Sequence, residues 1–252
     1  MAAAAARRLP RLRGHELSLA YREWNADAAG LPMVLLHGIT GSSADWRAAA
    51  SHLHGQRLIA LDARGHGESD WAADAAYAGD QHFADVATAL NELDLGRCVL
   101  AGFSMGGGIA MIAAAAMPER VAGVVVIDTY PDPAMSTGSR RIAQWIAGMD
   151  GGAGRFDPAI AAHFREQLAA GTASRLDLWP MWEALECPAL LVRGEESDVL
   201  PARTAREMLA RQPRAELVKV PGVAHGIPYM RPRELARAIG GFIARRCGTM
   251  RG

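Results

Sequence analysis

Short apolar runs recur along the chain and are separated by longer segments of mixed polarity. Five runs consist mainly of apolar residues, many of them branched: 32–37, 57–62, 97–101, 121–128 and 188–193. Continuous runs of this length are typical of strands covered on both faces. A looser alternation of Leu17, Leu19 and Tyr21 predicts an edge strand ahead of them, and 216–220 predicts a last strand after them.

The segments between these runs have the composition and periodicity of helices. Apolar residues recur at helical spacing within 80–95, and an alanine-rich segment after the run at 97–101 ends at Pro118. Pro201 and Pro232 open two further predicted helices. Because strands and helices alternate, the sequence predicts an α/β fold with a mostly parallel sheet and helices on both faces.

This alternation breaks between residues 129 and 186. The segment predicts two helices, at 140–149 and 158–170, and no strand. We therefore predict a single domain in which a helical cap, 129–186, is inserted into a core formed by 1–128 and 187–252. An insert of this kind on the side of the strand C-termini would form a lid.

Large apolar side chains in and beside the insert are candidates for the lining of a substrate pocket. They are Phe103, Tyr130, Trp145, Met149, Trp179 and Trp182. Those within the insert fit a small internal core equally well, so both interpretations stay open at this point.

Charge and cysteine content narrow the class of protein. The 252 residues include 27 Lys and Arg and 27 Asp and Glu, so the net charge is zero. This balance gives no indication of nucleic-acid binding or of a basic membrane patch, and no apolar stretch has the length of a membrane-spanning helix. Three widely spaced cysteines argue against a disulfide framework and a zinc site, which favours a reducing, cytoplasmic location. The oligomeric state stays open.

The candidate chemistry centres on the stretch 102–106, which reads Gly-x-Ser-x-Gly between a predicted strand and a predicted helix. So short a turn forces Ser104 into a strained backbone conformation. Gly102 and Gly106 lack the Cβ atoms that would collide there. The Ser104 hydroxyl is expected to stand clear of the sheet, and the Met105 amide, at the helix N-terminus, is expected to donate to a developing negative oxygen.

Four other loops follow predicted strands. The first contains Ile39, whose backbone amide we predict as the second donor to the same oxygen. The second, 62–69, favours a structural loop over a catalytic one, because its glycines permit positive φ and its polar side chains can satisfy buried backbone groups. The last two carry Asp198 and His225, at the C-terminal ends of late strands.

Taken together, these segments resemble the α/β-hydrolase superfamily. The matching positions are His37-Gly38, 62–69, 102–106, Asp198 and His225, which span nearly the whole chain apart from the cap. The order Ser, Asp, His along the chain is the one that this superfamily uses. The resemblance implies Ser104 as nucleophile, His225 as base and Asp198 as its orienting acid. Asp128 is the alternative acid, because some relatives place the acid at the end of the preceding strand.

The resemblance also implies a reaction class, hydrolysis through an acyl-enzyme without a metal or an organic cofactor. A serine at the turn argues against the superfamily's dehalogenases and epoxide hydrolases, which use aspartate there. We expect the substrate to be a small, largely apolar ester or lactone. The alternatives are hydrolysis of a carbon–carbon bond in a β-diketone or dienoate, perhydrolase-like activity with peroxide, and a non-catalytic ligand receptor.

Overall fold

A twisted sheet of eight strands forms the centre of the protein. The computed structural model describes residues 9–14, 16–149, 155–171 and 176–248. The strands are β1 Arg11–Arg13, β2 Ser18–Trp24, β3 Gly30–Leu36, β4 Gln56–Leu61, β5 Cys98–Phe103, β6 Val121–Ile127, β7 Ala189–Gly194 and β8 Ala215–Val220. Their order is β1-β2-β4-β3-β5-β6-β7-β8. β2 is antiparallel to β1 and β4, and the other pairs are parallel, which confirms the predicted fold class.

Helices follow most of the strands. They are α1 Arg47–Ala50, α2 Gly79–Glu92, α3 Met105–Ala116, α4 Thr137–Ala147, α5 Pro158–Ala169, α6 Trp179–Glu183, α7 Ala202–Arg211, α8 Ile227–Met230 and α9 Pro232–Phe242. A 3-10 turn, Ser43–Trp46, precedes α1, and a π-helical turn, Ile243–Cys247, follows α9. No helix in the described ranges combines the length and the apolar character needed to cross a membrane.

Two predicted elements differ from the structure. β2 is not an edge strand, because β1 pairs outside it, and a strand of three residues is too short to show an alternation. The first helix of the insert begins at Thr137 rather than at 140. Its start is set by the hydroxyl oxygen of Ser136, which accepts a hydrogen bond from the Ser139 N–H at 3.1 Å.

The continuous apolar runs supply both faces of the sheet. In β3, Val34 and Leu36 face one apolar core, while Met33 and Leu35 face the other. Successive strand residues point to opposite faces, so a strand covered on both sides needs apolar residues at every position. The core on the Val34 face includes residues of α2, α3 and α7, and the opposite core includes residues of α1 and α9.

In the described part of the interval between β6 and β7, where the sequence predicts a helical cap, the helices are α4, α5 and α6. α4 and α5 pack around a small apolar cluster that contains Ile146, Phe156, Ile160 and Ala161. α6 instead packs against α3 and contributes to the main core. The boundaries of the cap at residues 129 and 186 stay a prediction.

A buried ion pair connects the loop after β4 to α2. Arg64 Nε lies 2.7 Å and its Nη2 3.0 Å from the two carboxylate oxygens of Asp85, and both side chains are almost fully buried. Arg64 Nη1 donates to the Ala76 carbonyl oxygen at 3.0 Å. This bidentate pair fixes the loop at 62–69 against α2.

We predict that Asp85→Ala lowers the free energy of unfolding by about 3–5 kcal/mol, because a buried guanidinium loses its carboxylate. Urea unfolding followed by circular dichroism measures the change. Glu207→Ala is the matched control, since it removes a carboxylate from an exposed pair with Arg211 and is expected to leave the midpoint nearly unchanged. Equal midpoints for the two variants would contradict the structural role of the Arg64–Asp85 pair.

Candidate active site

The turn that carries Ser104 has the strained geometry that the sequence predicts. Ser104 follows β5 directly and has φ 54° and ψ −115°, and α3 begins at the next residue. A Cβ atom at Gly102 would overlap the Gly106 carbonyl oxygen, and one at Gly106 would overlap the Leu36 carbonyl oxygen. Both positions therefore require glycine, and the serine side chain is directed away from the sheet.

Ser104, Asp128 and His225 come from three loops at the carboxyl edge of the sheet, after β5, β6 and β8. His225 Nδ1 lies 2.8 Å from Asp128 Oδ2, and the Asp128 side chain is fully buried. The imidazole of His225 also packs on the ring of Phe103, with centroids 4.7 Å apart. Since Phe103 immediately precedes Ser104, this contact holds the imidazole beside the serine turn.

Asp128 takes the position beside His225 that the resemblance assigns to Asp198, and the assignment of Asp198 as orienting acid is wrong in this structure. Asp198 forms an exposed ion pair with Arg141 of α4, and its carbonyl oxygen accepts a hydrogen bond from the Gly138 N–H at 3.2 Å. It therefore anchors the start of α4. The alternative acid, Asp128, has φ 48° directly after β6.

The contacts of Asp128 define which nitrogen of His225 is protonated. A carboxylate only accepts hydrogen bonds, so His225 Nδ1 carries the proton and Nε2 presents a lone pair. Two further donors hold the same carboxylate, the Gly194 N–H to Oδ1 at 3.1 Å and the Ser197 hydroxyl to Oδ2 at 2.6 Å. The sequence gives no signal for these two contacts, because neither residue type is distinctive in a loop.

The backbone amides of Ile39 and Met105 belong to residues that lie near Ser104. Within the described part of the chain, neither N–H donates to a protein acceptor, whereas the next amide, that of Gly106, donates to the His37 carbonyl oxygen at 3.1 Å. Ile39, Ser104 and Met105 line one cavity. Two free N–H groups beside a serine can stabilise a negative oxygen that forms there.

The loop after β3 and the helix after His225 are joined by a side-chain hydrogen bond. The Tyr229 hydroxyl of α8 donates to Asp45 Oδ2 at 3.0 Å, and the same oxygen accepts the Ser42 N–H at 3.1 Å. The Tyr229 ring also meets the Phe103 ring edge-on, with centroids 5.8 Å apart. The segment that carries Ile39 and the segment that carries His225 are therefore braced against each other.

A cavity of about 710 Å³ lies between the serine turn and the cap. Its wall is mainly aliphatic and comes from α3, α4, α5 and the loops beside them. Representative wall residues are Ile109, Ile112, Ile142, Ile146, Ile160 and Leu178. Among the described lining residues there is no Lys or Arg, and the ionisable ones are Glu166, Tyr77 and three histidines, His66, His82 and His163.

The six side chains predicted for the pocket do not line this cavity. Trp182 is fully buried in the main core and donates from Nε1 to the Met208 carbonyl oxygen at 2.9 Å. Trp179 lies against the guanidinium of Arg211, 4.1 Å from its ring centroid. Trp145 is 60% exposed on the outer side of α4.

The other three predicted pocket residues have structural contacts. Phe103 packs between His225 and Tyr229. Tyr130 is buried and its hydroxyl accepts the Ser136 N–H at 2.6 Å, which helps to fix the start of α4. Met149 packs against the small cluster between α4 and α5. The helical spacing of Ile142, Ala143 and Ile146 indicates an apolar face on α4, although it does not indicate which partner that face meets.

The loop at 62–69 has the structural role predicted for it and also holds the cap. Asp62 Oδ1 accepts the Ser43 N–H at 2.6 Å and Oδ2 accepts the Glu68 N–H at 2.9 Å. The Gly65 carbonyl oxygen accepts the Asp157 N–H at 2.8 Å, just before α5. Asp157 in turn accepts a hydrogen bond from the Tyr77 hydroxyl.

Three buried histidines, His37, His66 and His82, have lowered pKa values, and His66 and His82 are part of the cavity wall. His37 accepts the Ala63 N–H at Nε2 and donates from Nδ1 to the Gly38 carbonyl oxygen. Burial lowers its pKa. Burial, with the nearby His37, lowers the pKa of His66 to about 3. Burial, with the nearby Arg64, lowers the pKa of His82 to about 3. No group of three or more His, Cys, Asp or Glu within the described ranges is arranged to hold a metal ion.

Comparison with known proteins identifies the family. A model described as alpha/beta hydrolase fold matches residues 32–149. The chain is 31% identical to the 3-hydroxybutyrate-oligomer hydrolase of Cupriavidus necator over 87% of this chain and 91% of that protein. The protein belongs to the α/β-hydrolase family.

Two further comparisons agree with this assignment. The 2-(acetamidomethylene)succinate hydrolase of Mesorhizobium japonicum is 30% identical over 85% of this chain and 88% of its own. The structure of a thermophilic esterase from Thermogutta terrifontis superposes with a TM-score of 0.76 and 25% identity, covering 96% of this chain and all of the other. The chain is therefore similar to hydrolases of more than one named substrate.

The buried histidines predict how stability depends on pH. The pKa values of His66 and His82 in the folded state, about 3, lie below the value of about 6.5 expected after unfolding. For these two residues the unfolded state therefore binds more protons between about pH 3 and 6.5. The stability that depends on these neutral histidines is therefore fully retained above about pH 6.5. Below that pH, the free energy of unfolding falls by up to about 1.4 kcal/mol per pH unit for each imidazole.

Urea unfolding at pH 7 and pH 5 measures this slope. His66→Phe removes one buried imidazole but keeps a ring to stack on Phe156, and we expect it to reduce the loss of stability between the two pH values. His54→Gln changes an exposed histidine and is expected to keep the wild-type slope. If His66→Phe and wild type lost the same stability between pH 7 and pH 5, His66 would not be a buried neutral histidine that sets this pH dependence.

Proposed function

We propose that the protein hydrolyses a carboxylic ester or lactone of a small, largely apolar substrate through an acyl-enzyme. The observation that carries the proposal is the position of Ser104 beside two free amides, on the wall of an aliphatic cavity without a described Lys or Arg. Such a cavity favours a neutral acyl or alcohol group, because a carboxylate buried there would meet no Lys or Arg among the described wall residues.

In the proposed mechanism, His225 Nε2 takes the proton of the Ser104 hydroxyl as Oγ attacks the substrate carbonyl carbon. The carbonyl oxygen becomes an oxyanion held by the amides of Ile39 and Met105. As the ester C–O bond breaks, His225 returns the proton to the leaving alcohol oxygen. Water then attacks the acyl-enzyme with His225 as base, which releases the acid and restores Ser104.

Asp128 stabilises this cycle without exchanging a proton. Its carboxylate keeps the Nδ1 proton on His225 in place and lies 2.8 Å from the charge that forms when the imidazole is doubly protonated.

Relatives support the reaction class only broadly, since one is named for a 3-hydroxybutyrate oligomer and another for a substituted succinate. A succinate carries two carboxylates, and the described cavity wall offers them no Lys or Arg, so we rank hydrolysis of such a substrate second.

The charge of the acyl group tests the proposed substrate class. p-Nitrophenyl butyrate and mono-p-nitrophenyl succinate have acyl chains of equal length, and they differ in a terminal methyl or carboxylate. We expect kcat/KM for the butyrate to exceed that for the succinate by at least about tenfold, because the carboxylate is desolvated without a partner. Release of p-nitrophenol measures both reactions.

Ser104→Ala is the control for this assay, and we expect it to lose all but a residual rate. Equal turnover by wild type and Ser104→Ala would exclude the acyl-enzyme. A preference for the succinate would favour the dicarboxylate alternative instead. If a fluorophosphonate probe failed to label Ser104 while a ligand still bound, the protein would be a receptor and not a hydrolase.

Substitution of Asp128 and of Asp198 tests which of the two aspartates is the acid. We expect Asp128→Asn to lower kcat on p-nitrophenyl butyrate by about four orders of magnitude, because the amide no longer enforces the required histidine tautomer. Asp198→Asn is the matched control and is expected to keep kcat within a few-fold of wild type, since Asp198 contacts Arg141 and not His225. The reverse result would restore Asp198 as the acid.

A further inference from the structure

Residues 194–200, between β7 and α7, contain Asp198, which does not contact His225. The same loop contacts Asp128 and the segment that leads to His225. The Gly194 N–H and the Ser197 hydroxyl both donate to Asp128. The Glu195 and Glu196 amides donate to the carbonyl oxygens of Val220 and Val223, which lie just ahead of His225. One loop therefore contacts both Asp128 and the backbone just ahead of His225.

Ser197 is the residue of this loop whose hydrogen bonds are most constrained. Its hydroxyl oxygen accepts the Val199 N–H at 3.2 Å and the Leu200 N–H at 3.1 Å. A serine hydroxyl has two acceptor sites and a single donor. Since both acceptor sites are occupied, the proton of Ser197 is directed at Asp128 Oδ2, the same oxygen that accepts His225 Nδ1.

The loop itself is held by a buried cation. Arg193, the residue before Gly194, donates to the carbonyl oxygens of Leu200 at 2.8 Å, Glu195 at 3.0 Å and Ser197 at 2.8 Å. Three hydrogen bonds from one planar guanidinium fix the path of the loop and, with it, the position of the Ser197 hydroxyl. Gly194 adds a steric constraint, since a Cβ atom there would overlap the Ala224 carbonyl oxygen.

We propose that Ser197 is a positioning residue of the active site, which holds the Asp128 carboxylate so that Oδ2 faces Nδ1 of His225. With the Ser197 hydroxyl and the Gly194 amide on opposite oxygens, the carboxylate cannot rotate without breaking a hydrogen bond to a charged group. Removal of the hydroxyl takes one donor from Oδ2 in a fully buried site. His225 Nδ1 at Oδ2 and the Gly194 amide at Oδ1 are then the remaining donors among these contacts. The expected effect of Ser197 on turnover rests on the proposed function. The expected effect of Ser197 on the tautomer of His225 does not.

The test compares Ser197→Ala with Ser197→Thr, which retains a hydroxyl, and with Asp198→Asn, a change at the next residue that leaves the contacts of Asp128 intact. Long-range ¹H–¹⁵N correlation spectra of the imidazole nitrogens report the tautomer of His225 without any substrate, and His225→Gln assigns the signals. Hydrolysis of p-nitrophenyl butyrate gives kcat and KM for the same variants.

We expect His225 in wild type and Asp198→Asn to show one protonated nitrogen, Nδ1, and Ser197→Ala to show averaged signals from two tautomers. We expect kcat of Ser197→Ala to fall by about tenfold or more, as for the loss of a hydrogen bond to a charged group, with KM little changed. Ser197→Thr is expected to recover part of both properties; if it does not fold, Ser197→Ala alone decides the question.

An unchanged His225 spectrum in Ser197→Ala overturns the proposal, whatever its activity. An altered spectrum with wild-type kcat also overturns it, because the hydroxyl would then not matter for the reaction. If wild type hydrolyses no ester, the proposed function fails by itself, and the spectra of the inactive protein still determine whether Ser197 fixes the Asp128–His225 pair.

Discussion

The proposed active site depends on a backbone approach that leaves no room for a side chain. The first turn of α3 lies against the end of β3, so that the Gly106 N–H donates to the His37 carbonyl oxygen and its Cα faces the Leu36 carbonyl oxygen. At this turn Ser104 has a positive φ, and the Met105 amide has no acceptor among the described residues. The cost of such a conformation, about 1–3 kcal/mol, is offset by two packed cores around the parallel strands.

These strands and the serine turn were predictable because their signals are local. A continuous apolar run specifies a strand covered on both faces, and Gly-x-Ser-x-Gly specifies a turn whose steric limits do not depend on the rest of the chain. The choice of acid was not predictable in this way. Asp128 and Asp198 both follow a strand and both precede His225, so the order along the chain fits either one. What separates them is the left-handed backbone of Asp128 and the contact of Asp198 with α4, and both are tertiary features.

The lining of the cavity also could not be predicted from the sequence. Its two main helices were predicted to within a few residues, but large aromatic side chains were a poor guide to the cavity. Trp182 has an indole N–H that requires a buried acceptor and finds one in the main core. The wall includes instead Ile142 and Ile146 of α4 and Ile160 of α5. The helical spacing of the first two was visible in the sequence, but it indicated no particular chemistry. Which face of a short helix meets the cavity depends on how α4 and α5 pack together, and periodicity alone does not specify that packing.

Charge compensation provides a physical reason why Asp128 suits the role of acid and the other aspartates do not. Asp85 is neutralised by the buried Arg64, and Asp198 by Arg141. The three donors to Asp128 among the described residues are an amide, a hydroxyl and an imidazole, and none of them carries a permanent charge. Of these three donors, His225 is the one that can become a cation, and in the proposed mechanism it does so when it takes the proton of Ser104. A carboxylate already paired with arginine would give that intermediate less stabilisation, because part of its field would be cancelled before the reaction begins.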